Sequence, residues 1–97
     1  MARTPERAVK DAVEKLLKAH KVWYFFPNMT GYGRAGIPDI IACVRGRFLA
    51  IECKAGKGQT TALQDRELER IEDSGGISIV IREDNLDVLE HILEFVK

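Results

Sequence analysis

The sequence lacks the features of membrane and secreted proteins. No run of about 18 consecutive apolar residues is present, which excludes a membrane-spanning helix. The first residues, MARTPERAVKD, carry no apolar stretch of the kind that a signal peptide needs. Cysteine is scarce, since Cys43 and Cys53 are too few for a disulfide scaffold. We therefore expect a cytoplasmic protein with reduced thiols and no contact with a membrane.

An excess of charge of one sign is also missing. The 15 Lys and Arg residues balance the 15 Asp and Glu residues, so the formal net charge is zero. This balance excludes a uniformly basic DNA-coating protein, but it leaves room for a local basic face. No internal repeat, linker or low-complexity tract interrupts the sequence. We expect one domain over residues 1–97.

The spacing of apolar residues predicts three helices and four strands. The helices are expected over residues 5–20, from 60 or 61 to about 74, and from 84 or 85 to about 96; the strands over 22–26, 39–44, 47–54 and 77–81. The order α-β-β-β-α-β-α is typical of an α/β fold with a mixed sheet and helices packed on it. The aromatic run from Trp23 to Phe26 is expected to lie in the core.

Three charged residues lie at the ends of two predicted strands. Glu52 and Lys54 are two residues apart on one strand and therefore point to the same face. If Arg45 and Gly46 form a two-residue hairpin loop, counting back along the strands places Asp39 opposite Glu52. Opposite residues have Cβ atoms about 5 Å apart. The pattern therefore predicts two carboxylates and an ammonium group at one place on the sheet.

Two interpretations of this group compete. A Glu-x-Lys pair is most often a plain salt bridge, which contributes little to stability. Here, however, the strand that carries Glu52 is too apolar to be an exposed edge, and charges at the end of a buried strand need a reason. Two adjacent carboxylates also repel each other unless a cation lies between them. Oxygen ligands of this kind suit a hard divalent cation.

Two further polar residues lie on otherwise apolar helix faces. Glu6 falls in the stripe of Val9, Val13 and Leu17, where it serves either the site or the helix dipole; Glu14 lies outside that stripe. Gln64 shares a face with Leu68 and Ile71, and the common role of such a glutamine is to bond nearby backbone.

Basic residues concentrate in the middle third of the chain. They surround a glycine-rich loop over residues 28–36, and loops of this length are often functional. A basic cluster beside an acidic site suits a polyanionic substrate, although each residue alone is more simply a solvated surface charge. The cluster comprises Arg34, Arg45, Arg47, Lys54, Lys57 and Arg66, with Tyr32 among them.

Other chemistries have little support in the sequence. His20 and His91 have no zinc-ligand spacing around them, and His20 is expected to be a core residue or a helix cap. No phosphate-binding loop of the Gly-x-x-x-x-Gly-Lys-Ser/Thr type is present, and no nucleophile elbow.

The motifs resemble those of a known nuclease superfamily. Gly36-Ile37-Pro38-Asp39, followed by Glu52-Cys53-Lys54, resembles the Pro-Asp…(Asp/Glu)-x-Lys signature of restriction-endonuclease-like nucleases. The chain is most similar to virus-type replication-repair nuclease (VRR-NUC) domains. The matching features are Glu6 in an early helix, the loop Asn28 to Gly31, the strand Phe48-Leu49-Ala50-Ile51 before Glu52, and Gln64 in the following helix.

This resemblance implies a restriction-endonuclease-like fold, with a mixed central sheet flanked by helices, and a metal-dependent DNA endonuclease. Its implied substrate is branched DNA, either a Holliday junction or a flap. Stand-alone members come from bacteria and phage-infected cells and tend to form homodimers. Phe95, an apolar residue off the main stripe of the last helix, favours the same expectation. The alternative is a non-catalytic DNA-binding or dimerisation module on the same fold.

The resemblance also implies roles for individual residues. Asp39, Glu52, the Cys53 carbonyl and Glu6 would hold one or two Mg²⁺ ions, with Mn²⁺ as a substitute and Glu14 as the alternative to Glu6. Lys54 and Gln64 would complete the catalytic set, Gln64 holding Lys54 or the phosphate. The residues expected to contact DNA phosphates are Tyr32, Arg34, Lys57 and Arg66.

Overall fold

The computed structural model of the protein describes residues 4–28 and 33–97. Their order, α-β-β-β-α-β-α, confirms the predicted fold class. The elements are α1 (Pro5–Ala19), β1 (Trp23–Phe25), β2 (Ile40–Val44), β3 (Arg47–Cys53), α2 (Ala62–Asp73), β4 (Ile77–Ile81) and α3 (Leu86–Phe95). None of these three helices is long and apolar enough to cross a membrane.

The four strands form one mixed sheet in the order β1-β2-β3-β4. The pairs β1–β2 and β2–β3 are antiparallel, whereas β3 and β4 run parallel. The β2–β3 hairpin turns through Arg45 and Gly46, whose φ angles of 50° and 82° are those of a type I′ turn. Val44 pairs with Arg47, which confirms the predicted register. The central strand β3 is buried from Leu49 to Cys53.

Helices cover both faces of the sheet, but not equally. The main core lies between one sheet face and helices α1 and α3, and its fully buried members include Val13, Leu17, Ile40, Leu49, Ile51, Leu89 and Leu93. Helix α2 packs on the opposite face against β4, where the Ser78 hydroxyl donates a hydrogen bond to the Leu68 carbonyl, 3.1 Å away. Among the residues that the structure describes, no helix covers the outer half of that face, on β1 and β2.

The open half of the sheet overturns one sequence prediction. Trp23, Phe25 and Phe26 were expected in the core, but they are 64%, 44% and 38% exposed. The reason is that β1 is an edge strand, and the side chains of Trp23 and Phe25 point away from α1 and α3. Tyr24 alternates to the core side and is half-buried, as expected. Leu63 on α2 is also exposed.

Candidate active site

Asp39 and Glu52 lie side by side where β2 begins and β3 ends. Ile40 pairs with Ile51, so the same register places Asp39 beside Glu52. Pro38 has no amide hydrogen and cannot extend the ladder. Instead, Asp39 Oδ2 accepts a hydrogen bond from the Cys53 amide at 2.8 Å. The Asp39 side chain thus continues the hydrogen bonding to β3 at the point where the backbone ladder ends. This bond fixes the carboxylate at the end of the central strand.

The carboxyl group of Glu52 is buried, and its surroundings disfavour the ionised form. It is 2% exposed, and its Oε1 atom is buried without a hydrogen-bond partner among the residues that the structure describes. Burial and, after it, the charge of Asp39 raise the pKa of Glu52 to about 7, although Lys54 partly offsets both effects. An ionised Glu52 therefore needs a positive charge close by.

Lys54 and Gln64 both contact the same oxygen of Glu52. Lys54 Nζ lies 3.6 Å from Glu52 Oε2, and Gln64 Nε2 donates a hydrogen bond to that atom at 3.0 Å. The predicted partner of Gln64 was Lys54 or the phosphate, and the structure corrects this to Glu52. Gln64 also accepts a hydrogen bond from the Thr61 amide and so completes the capping box of α2. Gln64 therefore bonds nearby backbone, as expected, and also contacts Glu52.

Glu6 faces the site, whereas Glu14 does not. Lys10 connects Glu6 to Asp39, because its Nζ lies 3.9 Å from Glu6 Oε2 and 3.5 Å from Asp39 Oδ1. Glu14 instead accepts a hydrogen bond from the Tyr24 hydroxyl, which lowers the pKa of Glu14. Sequence reasoning missed Lys10, although its position four residues after Glu6 is a visible signal for an ion pair.

The Cys53 carbonyl is directed toward this group of carboxylates. In a strand, the amide and the carbonyl of one residue point to the same side. The Cys53 amide bonds Asp39, and the next amide, that of Lys54, bonds Ile81 on the opposite side. The thiol is buried in the core, and burial raises its pKa to about 12, so it is protonated at neutral pH.

The donor set fits a hard divalent cation. Two carboxylates from adjacent strands, one with a buried oxygen that lacks a partner, meet a backbone carbonyl at the same sheet edge. Oxygen ligands of this kind suit Mg²⁺ or Mn²⁺. A cleft of about 570 Å³ opens beside them, between the first turn of α1 and the loop after β3, and Glu6, Lys54 and Gln59 contribute to its wall.

The predicted DNA-contacting residues lie in different parts of the structure, which does not describe all of them. Lys57 is exposed in the loop after β3. Two hydrogen bonds hold this loop: the Gly56 amide donates to the Glu83 carboxylate, and the Gly58 carbonyl accepts from Arg82. Arg34 and Arg66 both lie near the carboxylate of Glu67, a residue that the sequence analysis missed. Tyr32 lies outside the described residues, as does part of the glycine-rich loop.

A second group of ligand atoms lies at the opposite end of α1. Among the residues that the structure describes, His20, Glu90 and Glu94 place one ligand atom each within 4.8 Å of the others. The predicted set of Glu6, Asp39 and Glu52 is more widely spaced. His20 is the C-cap of α1, as expected, and lies 14 residues after Glu6, which is about 21 Å along the helix. The two groups are therefore separate.

A solved structure and a family model are similar to this chain. No curated protein sequence matches the chain. A solved structure described as a "VRR_NUC domain" is similar over 98% of this chain and 100% of its own length, with a TM-score of 0.76 and 20% sequence identity, and so shares the fold. The family model described as "Archaeal holliday junction resolvase (hjc)" matches residues 13–82, which include Asp39, Glu52, Lys54 and Gln64. This chain therefore belongs to the archaeal Holliday junction resolvase family of nucleases.

Proposed function

We propose that this protein is a metal-dependent endodeoxyribonuclease that hydrolyses phosphodiester bonds in branched DNA, such as a Holliday junction or a flap. The observation that carries the proposal is the convergence of Asp39, Glu52 and Lys54 at the end of the central strand, with one Glu52 oxygen buried and unpaired. A site built only for stability would leave no such oxygen, because an unpartnered buried acceptor is costly.

Asp39, Glu52 and the Cys53 carbonyl would hold Mg²⁺, or Mn²⁺ in its place, with Glu6 as a further ligand on the α1 side. The bound cation supplies Lewis-acid activation of the phosphate and of a water molecule. With a cation bound there, Asp39 and Glu52 would repel each other less, and Glu52 would be ionised at neutral pH.

The remaining residues act around this centre. The Lys54 ammonium group, 3.6 Å from Glu52, is placed to orient the attacking water or to stabilise negative charge on the phosphate oxygens. Gln64 acts through Glu52, because its amide holds the Oε2 atom and leaves Oε1 for the metal. Lys57, in the exposed loop after β3, would contact the DNA backbone, together with Tyr32, Arg34 and Arg66.

We further propose that the active form is a homodimer in the cytoplasm. A four-way junction has approximate two-fold symmetry, and a dimer with two equivalent sites could cut opposing strands. The exposed aromatic side chains of β1 offer an apolar surface for a second copy.

The test is a cleavage assay on a panel of four-way junction, flap, splayed-arm, duplex and single-stranded DNA, in Mg²⁺, in Mn²⁺ and in EDTA. We expect cleavage only with metal, with preference for a branched substrate. Asp39→Asn and Glu52→Gln should each reduce cleavage to background, because each removes an anionic ligand from a small ligand set. Asparagine is preferred to alanine at position 39 because it can still accept the Cys53 amide.

Glu69→Gln is the matched control, since it neutralises an exposed acidic residue of α2 that is not one of the proposed metal ligands. It should cleave as the wild type does. Cleavage in EDTA, or wild-type rates in either ligand variant, would overturn the metal-site assignment. Binding of DNA without cleavage under every condition would favour the non-catalytic module instead.

A further inference from the structure

A buried carboxylate in α2 is surrounded by three arginines. Glu67 is 2% exposed, although it lies on a surface helix. Its Oε1 atom accepts a hydrogen bond from Arg34 Nε at 2.7 Å, and its Oε2 atom lies 3.4 Å from Arg70 Nη1 and 3.9 Å from Arg66 Nε. We call Arg34, Arg66 and Arg70 the arginine triad.

The arginine triad carries more charge than Glu67 neutralises. Three guanidinium groups and one carboxylate leave a local net charge of two positive units. The arginine side chains remain 64%, 53% and 59% exposed, whereas the Glu67 side chain is covered by them. Each guanidinium has five N–H donors, and the hydrogen bond from Arg34 to Glu67 uses Nε. Within the described part of the chain, the terminal amino groups of Arg34 donate no other hydrogen bond. The triad therefore presents oriented donors and positive charge to solvent.

We infer that Glu67 and the arginine triad form a binding site for a DNA backbone phosphate, in which Glu67 is the positioning residue for the three guanidinium groups. The ligand class is a phosphodiester, because planar forked donors match phosphate oxygens, and a contact to phosphate carries no sequence information. A carboxylate beneath the arginines restricts their rotamers, so less side-chain entropy is lost when the phosphate binds.

The phosphate site is close to the proposed catalytic centre, because Glu67 and Gln64 belong to the same helix. Glu67 is three residues after Gln64, which is less than one helical turn and about 4.5 Å along the axis. Arg34 belongs to the segment that leads to Asp39, and that segment contacts the start of α2. A Cβ atom on Gly36 would lie 2.5 Å from the Leu63 carbonyl oxygen, so only glycine permits this approach.

A phosphate on the triad would therefore belong to a nucleotide next to the scissile bond. This inference rests on the proposed nuclease function, because it concerns how the same DNA strand is held. A purely structural role for Glu67, fastening Arg34 and its segment to α2, makes a different prediction. In that case, removal of a negative charge from a DNA-facing surface would strengthen DNA binding or leave it unchanged.

The experiment measures binding of a labelled four-way junction and a duplex in Ca²⁺, by fluorescence anisotropy from 50 to 200 mM salt. Glu67→Gln is compared with Glu69→Gln, which removes the same charge from the same helix without touching the triad. We expect Glu69→Gln to bind as tightly as the wild type or more tightly. Glu67→Gln should bind more weakly, on the order of tenfold, although it is the less negative protein.

Arg34→Gln and Arg70→Gln test the same site without leaving a buried carboxylate alone. Each should reduce the salt slope of log K by about one unit, the value for one lost phosphate contact. Lys15→Gln, on α1 across the sheet, should leave the slope unchanged. If circular dichroism shows that Glu67→Gln does not fold, DNA binding by these two arginine variants and by Glu67→Asp decides whether the phosphate site exists.

Binding of Glu67→Gln equal to that of Glu69→Gln, or unchanged slopes in both arginine variants, would overturn the phosphate site. Absence of DNA binding by the wild type would do the same. Because the readout is binding, a protein that binds through the triad but never cleaves would refute the nuclease proposal and leave this one standing.

Discussion

At the scale of single residues, Glu52 links the site to the stability of the protein. Its pKa is raised from 4.5 to about 7 in the folded chain, chiefly by burial. Between these two values the folded state holds a proton that the unfolded state has lost, so the stability that Glu52 contributes falls as the pH rises from 4.5 to 7. Each pKa unit corresponds to about 1.4 kcal/mol, which sets a ceiling of roughly 3 kcal/mol.

Glu52→Gln should remove this dependence. In EDTA at pH 8 we expect the variant to be more stable than the wild type, and near pH 4.5 we expect the two to be equal. Addition of Mg²⁺ or Mn²⁺ at pH 8 should stabilise only the wild type, because the ion binds the folded carboxylates. Chemical denaturation at a series of pH values measures all three effects. Equal stability of both proteins at pH 8 in EDTA would show that Glu52 ionises without cost.

The residues of the site were not equally predictable from the sequence. Asp39, Glu52 and Lys54 are revealed by strand periodicity and a hairpin register, both of which are local rules. Glu67 is not, because its burial depends on Arg34, which is 33 positions away in the sequence. A charge on a helix with mostly polar neighbours gives no local sign that distant arginines will cover it.

At the scale of elements, α2 connects its own cap to the active site through Gln64. Gln64→Glu separates these roles. A glutamate at this position can still accept the Thr61 amide and suits the first turn of a helix, so the thermal stability should be nearly kept. It cannot donate to Glu52, however, and it adds a carboxylate where Gln64 Nε2 lay 3.0 Å from Glu52 Oε2.

We therefore expect cleavage by Gln64→Glu to fall by about tenfold or more at neutral pH, with a higher metal requirement. Gln64→Ala is the comparison, since it loses the cap as well and should also lose about 1 kcal/mol of stability. Both variants are measured by cleavage rate against metal concentration and by thermal melting. Wild-type cleavage by Gln64→Glu would mean that the hydrogen bond to Glu52 has no role in the reaction.

The elements themselves were predictable to within a few residues, but their exposure was not. Strand β4 was predicted with its observed bounds, α1 ends one residue before its predicted end, and α2 differs by one or two residues at each end. The prediction that β1 lies in the core was wrong, because aromatic side chains do not by themselves indicate burial. Periodicity shows which side chains share a face, but only the sheet order shows that β1 is an edge and that α2 covers the other half.

At the scale of the whole molecule, that open half of the sheet is an apolar surface in a chain of zero net charge. Trp23 and Phe25 lie with ring centroids 5.5 Å apart, and Phe48 on β3 extends the same face at 47% exposure. Cys43 lies between them, paired with Trp23 on one side and Phe48 on the other. Exposed apolar patches of this kind are typical of contact surfaces, and a small neutral protein has little charge to resist association.

We expect the purified protein to sediment at micromolar concentration as a dimer, at twice the chain mass of 10.9 kDa. Trp23→Ser combined with Phe25→Ser should shift it to the monomer, because the substitutions remove the two largest exposed rings of the sheet surface. Phe95→Ser is the control: Phe95 is as exposed as Trp23, but it contacts His91 on α3, away from this surface. If Phe95→Ser dissociates the dimer instead, the interface lies on α3. A single species near 10.9 kDa, unchanged by junction DNA, would exclude the dimer, and such a monomer would cut one strand at a time.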